Sequence, residues 1–180
     1  RRAGHLLGRS RCLLACCTVG ESLVAALPPP LVRMCSRVAT GHLPTFADDQ
    51  YHGERDDLLP IPLAEVPFTS LYRDEVLSEA DLPMRLMAYS PCYRREAGAA
   101  GKDTRGLLRV HEFDKVEILA LVTPAQAQAM HEEIPNRAIG TLKALGITTR
   151  VLELCTGDLG QSHASRFNVD IYWPATARRP

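Results

Sequence analysis

The strongest constraint on how this chain can fold is a pair of strand-like runs on either side of a glycine-rich stretch. "MRLMAYSPCYRRE" (residues 84–96) and "RVHEFDKVEILALV" (109–122) read as β-strands, and residues 97–108 between them hold Gly98, Gly101 and Gly106. This pattern predicts a long hairpin. Side chains alternate along a strand, so Val110, Glu112, Asp114 and Val116 share one face of the second run. Arg109, His111, Phe113, Lys115 and Glu117 share the other, a charged face that also carries a phenylalanine.

Two readings of that face stand level on spacing alone. One is a solvated, salt-bridged sheet surface. The other is a nucleotide site built from "YRRE" at residues 93–96 and the second run. Arginine's planar fork binds phosphate oxygens in a bidentate way, and a phenylalanine offers a flat surface to a base. Glu96 could accept from an exocyclic amine and Glu117 could pair with a substrate ammonium. Such a site would not be a P-loop, because GxxxxGK[ST] occurs nowhere in the chain.

The flanking segments supply the rest of an α+β pattern. Residues 1–40 read as irregular, with "LPPPLV" (27–32) as an extended, helix-breaking segment. "GHLPTFADDQYHGERDD" (41–57) is loop-like, and Asp48, Asp49, Asp56 and Asp57 read as a solvated acidic loop. Pro60, Pro62 and Pro67 confine "LLPIPLAEVPFTSL" (58–71) to edge or irregular backbone. Ser78 heads a capped helical turn. Thr123-Pro124 starts a helix that runs to about Leu145 with Gly146 just past its end, and Pro135 is expected to kink or split it. "TTRVLELC" and "RFNVDIYW" are two further strands. This order predicts an α+β domain with a mostly antiparallel sheet.

Charge and cysteine usage narrow the function. Lys+Arg and Asp+Glu balance at 21 each, so nucleic-acid binding would need a local basic patch rather than a global charge. Of the six cysteines, Cys12, Cys16, Cys17 and Cys35 crowd the start. None forms a CxxC pair, which argues against zinc. Cys92 and Cys155 read as buried core thiols in a reducing compartment. No apolar run approaches the roughly 20 residues that span a bilayer. The arginine-rich opening, residues 1–20, reads as the irregular end of a fragment rather than a targeting segment. His111 and His163 read as structural.

"CYRREAGAAGKDTRGLLRVHEFDKVE" (92–117) closely resembles motif 2 of the class II aminoacyl-tRNA synthetases, and in its loop and "FDKVE" tail that of the seryl-tRNA synthetases. The class pattern is an Arg-x-Glu, a variable loop, then Arg or His ahead of a Phe; here these are Arg94, Glu96, Arg109 and Phe113. "TGHLPTFADDQYH", "IPLAEVPFTSLYRDE" and "LCTGDLGQSHASRFNVDIY" are similar to the same family, in the same order. The resemblance spans residues 27–173, leaving 1–26 unassigned and 174–180 as a divergent tail.

The resemblance implies an antiparallel sheet flanked by helices and a serine–tRNA ligase. L-serine would attack ATP to give seryl-adenylate, and the seryl group would pass to tRNA(Ser), with tRNA(Sec) as a further acceptor. Arg94 would act on the α-phosphate and serve serine as well. Arg95, Glu96, Arg109, Val110 and Phe113 would bind ATP. Leu63, Ala64, Glu65 and Glu117 would bind serine, and Lys102 and Arg105 in the loop would meet tRNA. The family also implies Mg2+, a homodimer whose interface includes the end of motif 1 near "LPPPLV", and a cytoplasmic setting, with an organellar one left open.

The departures point to a partial catalytic domain. Leu63 stands where the family has threonine, which removes a hydroxyl from the serine pocket. Motif 3, the magnesium-binding acidic strand and the tRNA-gripping coiled-coil arm are not recognisable. The competing reading is therefore a synthetase-derived nucleotide- or RNA-binding fragment without catalysis.

Overall fold

The structure is a computed structural model that describes residues 23–53, 55–97, 109–160 and 163–172. The expected tRNA-contacting residues Lys102 and Arg105 lie outside the described residues, as do the glycines between the two strands, Cys12, Cys16, Cys17 and the divergent tail. The described residues fall into two compact units, one within Gly20–Leu121 and one from Val122 onward.

The first unit contains β1 (Leu23–Ala26), β2 (Leu31–Arg33), α1 (Met34–Ala39), β3 (Leu58–Pro60), α2 (Glu65–Thr69), β4 (Met84–Tyr93) and β5 (Glu112–Leu121). The predicted hairpin is its frame. β4 and β5 pair antiparallel from Met84↔Leu121 to Tyr93↔Glu112, and β1 adds to β4 in parallel, with Leu23↔Arg85 and Ala26↔Ala88 as its end pairs. β2 and β3 form a separate antiparallel pair.

Residues 23–39 are therefore not irregular as expected. β1 and β2 are too short to carry a periodicity, and they exist because a partner strand supplies their ladder. Helix α1 ends at a Schellman motif: the Gly41 N–H donates to Val38 O at 3.1 Å and the His42 N–H to Arg37 O at 3.0 Å, with Gly41 at φ +74°. Arg37 is the hub of this corner. It is fully buried, and its guanidinium donates to Gln50 Oε1 and to the Pro60 carbonyl, tying α1 to the following loop and to β3. Its Nε has no hydrogen-bond partner among the described residues. Burial pushes its pKa down to about 10, which still leaves it charged at neutral pH.

Pro60 closes β3, whose only partner strand among the described residues is β2, with a single further bridge from Leu58 to Gly53, which fits the edge expectation. Pro67 does not fit it. It lies inside α2, at the third helical position, where a backbone N–H has no intrahelical acceptor and its loss is harmless. Helix α2 lays Ala64 and Phe68 against Leu86 and Ala88 of β4, with Ala26, Tyr72 and Leu119 around them. Burying a side chain such as Phe68 contributes about 1.5–3 kcal/mol. Ser78 caps the next helical turn as expected, accepting from the Ala80 N–H at 3.3 Å.

The second unit is α3 (Pro124–Ala144) with the antiparallel hairpin of β6 (Thr149–Glu153) and β7 (Phe167–Ile171). The predicted start holds: Pro124 is the first helical residue, and Gln126 Oε1 accepts the Thr123 N–H at 3.0 Å. The end also holds, because Gly146 at φ +71° donates to Lys143 O and Ile147 to Leu142 O. Pro135 does not split the helix, which is one 21-residue element. The Arg137–Glu133 pair at 2.7 Å brackets the proline and supports that turn. His131 packs on the Phe167 ring at 4.9 Å, and Arg150 pairs across the hairpin with Asp170 at 2.6 Å. Cys155 is exposed, not core. It follows the last residues of β6 and opens a helical turn, where its thiol points to Asp158 Oδ2 at 3.6 Å. Cys92 is buried as expected.

The buried guanidinium yields a stability prediction. Arg37→Ala should lower unfolding free energy by about 2–3 kcal/mol, because Gln50 and the Pro60 carbonyl lose their donors inside the protein. Urea unfolding measures this; a loss under 0.5 kcal/mol would show the corner does not depend on Arg37.

Candidate active site

The site grows from the register of β4 and β5. Directly opposed residues share a face, so Cys92, Ser90 and Ala88 lie opposite Phe113, Lys115 and Glu117. The three β4 residues are small and at most 1% exposed. They form a low floor beside a row of larger, half-buried functional side chains. Burial pushes the Cys92 thiol pKa up, with Glu117 adding to the rise, so Cys92 is part of that floor and not a nucleophile.

Arg94 follows β4 directly. One further rung holds it: its N–H donates to His111 O at 2.9 Å, and its carbonyl bonds His111 Nδ1 at 3.1 Å. The Arg94 guanidinium lies over the Phe113 ring, 5.3 Å from the centroid. His111 is thus a satisfied backbone partner, as expected, and the Tyr51 ring meets it edge-on at 6.3 Å. His163 is exposed and its N–H bonds Gly160 O.

Glu96 and Arg109 meet at the base of the segment joining the strands, with Arg109 Nε 2.5 Å from Glu96 Oε2. Glu96 sits at φ +55°, a left-handed conformation that is costly for a residue with a side chain. Asp49 holds the neighbouring backbone: its carbonyl accepts the Arg95 N–H and its Oδ1 the Ala97 N–H, both at 2.8 Å. Asp49 is therefore no solvated loop acid. Asp57 pairs with His52 at 3.0 Å, while Asp48 and Asp56 are exposed. The Arg95 residue is exposed and Val110 half-buried.

Glu117 joins the hairpin to the segment expected to hold serine. Its Oε2 accepts the backbone N–H of Ala64 and that of Glu65, the latter at 3.1 Å, and its Oε1 pairs with Lys115 Nζ at 2.8 Å. Ala64 and Glu65 open α2, so the carboxylate occupies the positive end of its backbone. Leu63 is buried and Glu65 exposed. His42 lies within reach of the fields of Glu65, Arg37 and Arg94, and burial is the main cause that lowers its pKa.

Of the expected residues, the structure brings together Arg94 with Phe113, Glu96 with Arg109, and Ala64 and Glu65 with Glu117. Sequence reasoning missed Asp49, Lys115 and the small-residue floor. The alternation Ala88, Ser90, Cys92 in "AYSPC" was the available signal for the last of these.

Comparison with known proteins places this geometry. Residues 47–179 match the tRNA synthetase class II core domain (G, H, P, S and T). The chain belongs to this class II tRNA synthetase family. It is 47% identical over 151 residues to the serine–tRNA ligase of Synechococcus elongatus, covering 84% of this chain and 35% of that protein. Its identity to the serine–tRNA ligase of Acaryochloris marina is 49% over 157 residues, covering 87% and 37%. The chain thus spans about a third of the length of these curated relatives. Its fold is similar to the crystal structure of seryl-tRNA synthetase from Pyrococcus horikoshii complexed with ATP, at TM-score 0.85 and 36% identity over 94% of this chain and 38% of that one. The cytoplasmic serine–tRNA ligase of Naegleria fowleri in complex with AMP gives TM-score 0.82 and 27% identity, covering 94% and 39%. The expected α+β class II architecture is confirmed; the seven described strands divide into three sheets, and all pairings but β1 with β4 are antiparallel.

If Glu117 is the strut that this geometry makes it, Glu117→Ala should cost about 2–3 kcal/mol of stability, since two amides at the start of α2 lose a charged acceptor. Hydrogen exchange would locate the loss at Ala64 and Glu65. Unchanged protection there would contradict the assignment.

Proposed function

We propose that this chain carries the adenylate-forming site of a serine–tRNA ligase. The observation that carries the reading is the row Phe113, Lys115, Glu117 on one face of β5, with Arg94 over its aromatic end and the α2 segment at its acidic end. Phe113 and Glu117 lie about 13 Å apart along the strand. An aromatic plane with a guanidinium beside it at one end and a carboxylate at the other suit adenine with its phosphate, and ammonium.

In this reading ATP and L-serine are the substrates. The adenine stacks on Phe113, and Glu96 accepts from its amine once the Arg109 guanidinium turns toward the γ-phosphate. Arg95 supports the triphosphate and the Val110 backbone lines the site. A serine carboxylate oxygen attacks the α-phosphorus, the bond to the bridging oxygen breaks, and pyrophosphate leaves. Arg94 neutralises the charge that builds on the α-phosphoryl oxygens and orients the attacking carboxylate, an electrostatic role worth several kcal/mol. Leu63, Ala64, Glu65 and Glu117 surround the amino acid. A ribose hydroxyl of tRNA(Ser), or of tRNA(Sec), then attacks the seryl carbonyl and AMP leaves, with Lys102 and Arg105 contacting the tRNA phosphates.

Among the described residues no cluster of three His, Cys, Asp or Glu side chains could hold a metal ion. The Mg2+ that the resemblance implies therefore has no ligands assigned here, and no step runs through it. We take the partial catalytic domain, expected over residues 27–173, to begin at β1, because Leu23–Ala26 pair with β4; 174–180 are left outside it. We place the protein in the cytoplasm as a homodimer whose interface includes the exposed apolar Leu27, Leu31 and Met34. No described helix is long and apolar enough to cross a membrane.

Serine-dependent ATP–pyrophosphate exchange tests the reading. The full-length protein should exchange with L-serine and not with alanine, and Arg94→Ala should cut the rate by about 100-fold or more with the fold intact. A near-normal rate in Arg94→Ala would remove that residue from the chemistry; no serine-dependent exchange by the unaltered protein would overturn the function.

A further inference from the structure

Resting on the serine-site reading, we propose that Lys115 is an internal stand-in for the substrate's ammonium group, held on Glu117 in the free protein and displaced when the amino acid binds.

The two oxygens of Glu117 are used unequally. Oε2 is fixed by the Ala64 and Glu65 backbone amides, which cannot leave without unwinding the start of α2. Oε1 faces Lys115 Nζ at 2.8 Å. The Glu117 side chain is 13% exposed and that of Lys115 39% exposed. The pair is thus a sheltered anion with a cation on a flexible stem that reaches water. An aminoacyl ammonium and a lysine ammonium present the same three donors to a carboxylate, so either satisfies Oε1.

The exchange needs only the lysine to swing, because its side chain is the more exposed of the two. Ser90 stands opposite Lys115 and Ala88 opposite Glu117, and Ala88 is covered by Ala64 and Phe68, so the lysine leaves toward solvent and not across the strand. Lys115 pairs a charge on Glu117 that would otherwise be costly to keep sheltered. A half-exposed ion pair contributes little net stability, so displacing it weakens amino-acid binding only modestly.

The test is steady-state pyrophosphate exchange in the full-length protein with Lys115→Gln and Lys115→Arg. Removing the competitor should lower the KM for L-serine by about two- to five-fold in Lys115→Gln, the factor expected for losing an exposed pair. Lys115→Arg should keep the wild-type value, and the two melting temperatures should agree. Inhibition by 3-hydroxypropanoate, which lacks the ammonium, should not tighten in Lys115→Gln. An unchanged or raised serine KM in Lys115→Gln would overturn the proposal, as would equal tightening of the ammonium-free acid. Calorimetric titration separates this from failure of the underlying reading: if the unaltered protein binds no serine at all, both fall together.

Discussion

One carboxylate organises this molecule's working face. Glu117 is placed by the register of β5, yet its oxygens reach the amides of Ala64 and Glu65, more than fifty residues earlier in the chain. A short helix such as α2 would not persist alone, because nucleating five residues costs more than their few hydrogen bonds return. It forms where Phe68 and Ala64 bury against β4 and where Glu117 satisfies its first amides. The same contact brings the segment 63–65 to the strand face, so folding and site assembly are one event.

The site then follows from what the strands can tolerate. β4 offers small, buried side chains where β5 offers larger, half-buried ones, so the charged and aromatic groups of the face all stand on β5. Arg94 lies over Phe113 at one end, beside the Arg109–Glu96 pair, and Glu117 is paired with Lys115 at the other. Asp49 and His111 fix the backbone that carries Arg94, Arg95 and Ala97. In the proposed reaction Arg94, already held by this backbone, is the guanidinium that would meet the developing phosphoryl charge. Arg37 plays the comparable structural role behind the site, where a buried cation holds three separate segments together.

Much of this was legible before any coordinates. The hairpin announced itself through strand periodicity on both sides of glycines, and α3 through Pro124 and Gly146, because these signals are local. β1, β2 and α1 were not legible, since three to six residues carry no periodicity and owe their form to partners distant in sequence. Pro67 read as a breaker because proline is judged by its missing N–H, which costs nothing in a first turn. Pro135 read as a break for the same reason, yet the rest of a long helix outweighs one lost bond. Cys155 looked buried by residue type, whereas its place at the mouth of a hairpin exposes it. Among the candidate site residues, Arg94, Phe113 and Glu117 stood out by pattern. Asp49 and Lys115 were not, because ordinary acids and lysines acquire meaning only from the partner the fold gives them.

The proposed function stands on a single aminoacyl-adenylate lying along the β5 face. The most direct measurement is a crystal structure of the full-length protein with a non-hydrolysable sulfamoyl analogue of seryl-adenylate. The account predicts adenine stacked on Phe113, the sulfamoyl group at Arg94, and the serine ammonium on Glu117 Oε1 in place of Lys115. An analogue bound away from β5, or lying with its amino-acid end at Phe113, would contradict it.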